Sequence, residues 1–109
     1  MNRHCFTLDL KNDTALIAEY EKWHHQVWPE ILDSIKDSGI ESMQIYLIDT
    51  RLFMIMETDE LFSFEKKAAM DAGNPKVQEW ETLMLKFQQP LPGSAPGEKW
   101  VLMNKIFEL

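Results

Sequence analysis

The residues best suited to proton chemistry lie in one run, Tyr20-Glu21-Lys22-Trp23-His24-His25-Gln26-Val27-Trp28-Pro29-Glu30. Tyr20 and His24 are four residues apart, so a helix through them projects both side chains from one face. An imidazole titrates near neutrality and can both give and take a proton at pH 7. The following proline break places His24 at a helix end, close to an opening. A solvated histidine interacting with the helix dipole has the same spacing, so the spacing alone leaves both readings open. His25 is turned about 100° from its neighbour around a helix and cannot share its geometry. The pair lacks the i, i+4 spacing with which helical histidines grip one metal, and no metal site is expected. Glu19 and Glu21 read as solvated helix-face carboxylates.

Three aromatic residues outside the immediate pair are further candidates. Tyr46 sits in a strand, where it is either a packed aromatic or a hydroxyl presented rigidly to a polar ligand. Trp28 and Trp80 suit a core or an interface equally well, or stack against the apolar C–H face of a sugar ring. Cys5 reads as a small core residue. The chain has no Gly-rich phosphate loop, nucleophile elbow or paired-carboxylate signature.

The elements that must position these side chains follow from periodicity and punctuation. A strand is expected over His4–Leu10, where Phe6, Leu8 and Leu10 alternate with Cys5, Thr7 and Asp9. Asn12-Asp13-Thr14 starts a helix carrying Leu16, Tyr20, Trp23 and Val27. A break falls near His25–Trp28, and Pro29 opens a second short helix with Ile31, Leu32 and Ile35 inward and Gly39 at its end. Two strands, Ile40–Ile48 and Leu52–Glu57, flank the turn Asp49-Thr50-Arg51. In the first, Met43, Ile45 and Leu47 share one face and Gln44 and Tyr46 the other. A third helix is expected over Leu61–Ala72, and Asn74-Pro75 starts a fourth with Val77, Trp80, Leu83, Met84 and Phe87 apolar. Gln88–Gly97, rich in proline and glycine, reads as a loop before a final strand, Trp100–Leu109. The order is that of an α+β, ferredoxin-like βαββαβ sandwich. Apolar residues on both sheet faces imply a second copy against the face that the helices leave bare, as in a dimeric α+β barrel.

Composition limits the possible functions. The chain has 109 residues, the size of one small domain spanning residues 1–109. Hydrophobic residues at 45% and charged residues at 27% exclude a disordered chain. Eighteen acidic residues against eleven Lys and Arg give a net charge of −7, which repels phosphate backbones and anionic lipid. Neither nucleic acid nor a membrane is an expected partner, since no apolar run approaches the roughly 20 residues that span a bilayer. One cysteine excludes an internal disulfide, and no signal-like segment opens the sequence, so a cytoplasmic protein is expected. Four Trp, two Tyr and six Phe exceed what so small a core can bury, which points to a pocket or a subunit interface.

The stretch Tyr20-x-x-x-His24 followed by Val27-Trp28-Pro29-Glu30-Ile31 resembles the Y-x-x-x-H-x-x-[IV]-W-P-E segment of the L-rhamnose mutarotase family. Ile45-Tyr46-Leu47 is similar to the family's I-Y-L strand motif, and Gln78-Glu79-Trp80 to its Q-x-W helical segment. The resemblance extends over nearly the whole chain. It implies a dimerising α+β domain that interconverts the α and β anomers of a 6-deoxy sugar with neither metal nor organic cofactor. It also implies His24 as the catalytic acid, Tyr20 and Tyr46 as sugar-binding tyrosines, and Trp80 as a pocket tryptophan. The chain departs from the pattern at Glu81, where L-rhamnose-specific members carry a second tryptophan, and at His25, which is Asn in some members. These departures bear on the sugar, making L-fucose a candidate beside L-rhamnose.

Mutarotation needs a proton placed on the ring oxygen and one taken from the anomeric hydroxyl. A group titrating near the working pH suits this two-way transfer. His24 is expected to protonate the ring oxygen, while Tyr20, Tyr46 or a water handles the proton on O1. Trp80 and Trp28 would pack on the C6 methyl and the ring face, and Glu81 would accept hydrogen bonds from sugar hydroxyls. Two other readings share the fold: a monooxygenase-like enzyme acting on an apolar substrate, with or without haem, and a noncatalytic binding module.

Overall fold

Short polar side chains start three of the helices by taking up backbone N–H groups that have no partner inside the helix. The Asp13 carboxylate accepts from the Leu16 N–H at 3.1 Å and opens α1, Thr14–His24. Ser63 accepts from the Lys66 N–H at 3.0 Å and opens α3, Phe64–Ala72. Asn74 accepts from the Lys76 N–H at 3.1 Å and opens α4, Pro75–Leu85. The remaining helix, α2 (Pro29–Asp37), begins with proline at its first position, and extended Trp28 ahead of it ends the break after His24. The third helix therefore starts at Phe64 and not at the expected Leu61, because the cap at Ser63 leaves Leu61 and Phe62 outside it.

The computed structural model describes residues 2–109. Its strands are β1 (Asn2–Leu10), β2 (Ile40–Ile48), β3 (Arg51–Thr58), β4 (Gln88–Gln89) and β5 (Val101–Leu102). They form one antiparallel sheet in the order β2-β3-β1-β4, with β5 also pairing with β1. This is the split βαβ order of a ferredoxin-like sandwich. The first strand starts earlier than expected because its pairing with β3 continues to Asn2↔Thr58. The turn between β2 and β3 tightens to Asp49-Thr50, with Asp49 at φ 54°, so Arg51 already belongs to the ladder.

The last strand departs most from expectation. Gln88–Gln89, expected in a loop, pairs with Leu10 and Asp9, and Val101–Leu102 pairs with Thr7 and Phe6. The fourth strand of the sandwich is thus two short pieces on the same edge of β1. Beyond Leu102 the expected strand is not formed, although the Met103 N–H still donates to the Cys5 carbonyl at 2.8 Å. A strand is held by the surface on which it packs, and the exposed Ile106, Phe107 and Leu109 meet none in a single chain.

All four helices lie on one face of the sheet. The core on that side centres on Leu8, Leu10, Leu52, Met84 and Phe87, with Tyr20 packed among them. A second cluster, Ile40, Met54 and Met56, continues it along β3. Gly39, at φ +97°, joins α2 to β2, where a Cβ would stand 2.7 Å from the Asp59 carboxylate, so only glycine fits. On the opposite face Tyr46 and Ile48 are exposed and Phe53 and Ile55 half-buried, as expected of a face left without helices.

Candidate active site

The register of α1 sets Tyr20 and His24 one turn apart, and their rings meet with centroids 4.4 Å apart. The His24 Nδ1 lies 2.8 Å from the Tyr20 carbonyl oxygen. A carbonyl only accepts, so Nδ1–H donates and fixes the tautomer, leaving Nε2 with its lone pair free. Burial pushes the imidazole below its ordinary 6.5. The bond to the Tyr20 carbonyl opposes that shift, and the neighbouring His25 adds to it. At neutral pH His24 is therefore an uncharged ring with one committed donor and one free acceptor.

Tyr20 itself is 3% exposed. Burial raises its hydroxyl to about 12, and a hydrogen bond from the Gln88 side chain pulls the other way. The phenol stays protonated, as a hydrogen-bond donor and not a base. Its ring also packs edge-on against Phe87, with centroids 5.8 Å apart, which fixes it in the core.

α4 completes the aromatic corner. The Trp80 ring stands edge-on to His24 at 5.8 Å, to Trp28 at 5.1 Å and to Trp23 at 6.4 Å. These edge-on geometries match the aromatic quadrupole, and the Trp23 Nε1–H also donates to Glu19 Oε2 at 3.4 Å. The break between α1 and α2 is what lets Trp28 turn back onto Trp80.

Between the helices and the sheet lies a cavity of about 320 Å³, near the lower end of the size range for small-molecule sites. Its floor is apolar, with Met43, Ile45, Met54 and Met56 from the sheet. Tyr20, Trp80, Glu81 and Gln88 contribute to its wall, as does a Lys67–Asp71 ion pair from α3. Three expected site residues, Tyr20, Trp80 and Glu81, thus share the cavity. His24 sits one ring back, against both aromatic members of that wall, and Trp28 lies behind Trp80.

Tyr46 does not join them. It is 55% exposed on the other face of the sheet, its hydroxyl 3.5 Å from Gln44 Oε1. The pleat is the reason: Met43 and Ile45 point into the cavity, so Tyr46 must point away. The residue that β2 brings to the cavity near that position is Met43. Sequence reasoning also passed over Gln88, Lys67 and Asp71. Gln88 follows Phe87, the last apolar position expected of the fourth helix, but its polar type and the prolines beyond it read as loop.

Among the described residues no group of three or more His, Cys, Asp or Glu side chains could hold a metal ion. Nor is any described helix long and apolar enough to cross a membrane. The arrangement instead offers a neutral imidazole and a protonated phenol beside a small, mostly apolar cavity with a carboxylate and an amide on its wall. Such a site can move protons on a compact amphipathic molecule.

The chain is similar to known proteins along nearly its whole length. The L-rhamnose mutarotase family pattern matches residues 3–109. An L-fucose mutarotase of Xanthomonas campestris pv. campestris is 50% identical over 111 residues, covering 100% of this chain and 89% of that protein. An L-rhamnose mutarotase of Bacteroides thetaiotaomicron is 32% identical, covering 88% of each. Among solved structures, an L-rhamnose mutarotase from Formosa agariphila superposes with a TM-score of 0.74 at 20% identity, over 100% of this chain and 99% of that one. The tetracenomycin F2 cyclase of Streptomyces glaucescens, a type-II polyketide cyclase, superposes with a TM-score of 0.63 at 12% identity, over 100% and 97%. These two share the fold. By the match along nearly its whole length, the chain belongs to the L-rhamnose mutarotase family.

Proposed function

We propose that this chain interconverts the α and β anomers of L-fucose, with His24 carrying the proton. The observation that carries the reading is the His24 tautomer: Nδ1 is committed to the Tyr20 carbonyl, which leaves Nε2 as the acceptor of a ring packed against Tyr20 and Trp80 of the cavity wall. The neutral imidazole takes the proton from the O1 hydroxyl as the C1–O5 bond breaks, and C1 becomes an aldehyde carbon. The Tyr20 hydroxyl donates to O5 as negative charge gathers there. The imidazolium then returns its proton to O5, so His24 acts first as base and then as the acid that the family resemblance implies. Rotation about C1–C2 and the reverse steps close the ring to the other anomer. His24 ends as it began.

The lining supports a 6-deoxy sugar in particular. Such a molecule has a methyl group for the Met and Ile floor and an apolar ring face for Trp80, while its hydroxyls meet Glu81 and Gln88. The choice of L-fucose over L-rhamnose rests on the 50% identity to an L-fucose mutarotase and on Glu81 in place of a second tryptophan. The test is proton NMR saturation transfer between anomers of L-fucose, L-rhamnose and D-glucose at neutral pH. Exchange of L-fucose accelerated most is the expected result; equal effects on all three would refute the assignment.

We infer in addition that two copies pair through the sheet face opposite the helices. Tyr46 and Ile48 are exposed there beside the half-buried Phe53 and Ile55, and Ile106, Phe107 and Leu109 are exposed at the chain's end. Large apolar side chains left in water in this way favour burial against a partner. Tyr46 then acts at the interface, as an amphipathic aromatic, and not on the sugar.

A further inference from the structure

The cavity wall contains one polar group without a partner. Gln88 is 8% exposed, and its Oε1 has no hydrogen-bond partner among the described residues. Buried polar atoms are nearly always satisfied, and those that are not require a reason. Here the residue lines the cavity, as do Tyr20, Trp80 and Glu81. It is also held firmly. Its backbone pairs with Leu10 in the sheet, and the fully buried Phe87 before it accepts from the Lys11 N–H at 2.8 Å. A rigid backbone aims the amide, which is what a recognition group needs.

The Gln88 amide can donate through its Nε2–H groups and accept through Oε1, and it is Oε1 that finds no donor. We infer that Gln88 is a specificity-determining residue whose Oε1 accepts a hydrogen bond from one ring hydroxyl of the sugar. The inference rests on the mutarotase reading and extends it to a residue that reads as loop in the sequence. A site built to accept a hydroxyl discriminates against analogues lacking it, because its own acceptor is then left unpaired.

The test compares the Kd of L-fucose with those of its monodeoxy analogues at C2, C3 and C4, for the wild-type protein and for Gln88→Leu. Gln88→Met, closer in length, repeats the comparison should Gln88→Leu fold poorly. In the wild type one analogue should bind roughly tenfold to a hundredfold more weakly than L-fucose. In the variant L-fucose should weaken by a similar factor, and that same analogue should bind as well as L-fucose. A packing role would weaken every sugar alike. Equal penalties for each analogue in wild type and variant would therefore overturn the assignment of Gln88 while leaving the mutarotase reading intact. A wild-type protein that binds no L-fucose would overturn both.

Discussion

Tyr20 must remain a protonated donor if it is to meet charge on the ring oxygen, and its burial makes that measurable. Its hydroxyl rises from 10.0 in the unfolded chain to about 12 in the folded one. The folded state therefore binds the extra proton between those values. Stability from this group is complete below pH 10 and is lost as pH rises through the folded value. The rise corresponds to about 3 kcal/mol, undiminished by solvent because the residue is 3% exposed. The chain has two tyrosines, so Tyr46→Phe leaves Tyr20 as the single reporter of tyrosinate absorbance. Ionisation should appear near pH 12 in the folded protein. The stability difference between Tyr46→Phe and the double variant Tyr20→Phe/Tyr46→Phe, from urea unfolding, should change by about 3 kcal/mol from below pH 10 to above the folded value. Tyrosinate forming at pH 10 with the fold intact, or a pH-independent difference, would refute the picture of a dry, neutral phenol.

Two other predictions follow from charges and surfaces. Because burial holds His24 below 6.5 and its neutral form starts the reaction, the catalysed exchange rate should rise with pH through a value below 6.5 and be flat at neutrality; a profile that falls as pH rises through 6.5 would contradict this. Sedimentation equilibrium should give a dimer, and Ile106→Asp with Phe107→Asp should shift it toward monomer; a wild-type monomer would contradict the apolar-face argument.

Features decided by neighbours in sequence were legible before the fold was known. Asp13 and Asn74-Pro75 start helices by capping, and Pro29 breaks α1 from α2, as their chemistry requires. The Tyr20–His24 pair is legible for the same reason, being one helical turn. Tyr46 shows where two kinds of reading conflict. Alternation puts it opposite Met43 and Ile45, whereas motif resemblance puts it on the sugar, and the pleat decides in favour of alternation. Gln88, Lys67 and Asp71 reach the cavity through tertiary packing of β4 and α3, for which a single sequence has no local signal. Residues 103–109 carry strand-like alternation, yet a strand also needs a surface to lie on, and one chain does not supply it.

The central claim is that His24 moves the proton, and its direct test is anomeric exchange of L-fucose by the wild type and by His24→Asn under identical conditions. Asparagine retains an N–H close to the imidazole Nδ1 position for the Tyr20 carbonyl but has no titrating nitrogen. Loss of the base should slow the catalysed rate roughly a hundredfold to ten-thousandfold while L-fucose still binds. Catalysis undiminished in His24→Asn would contradict the account.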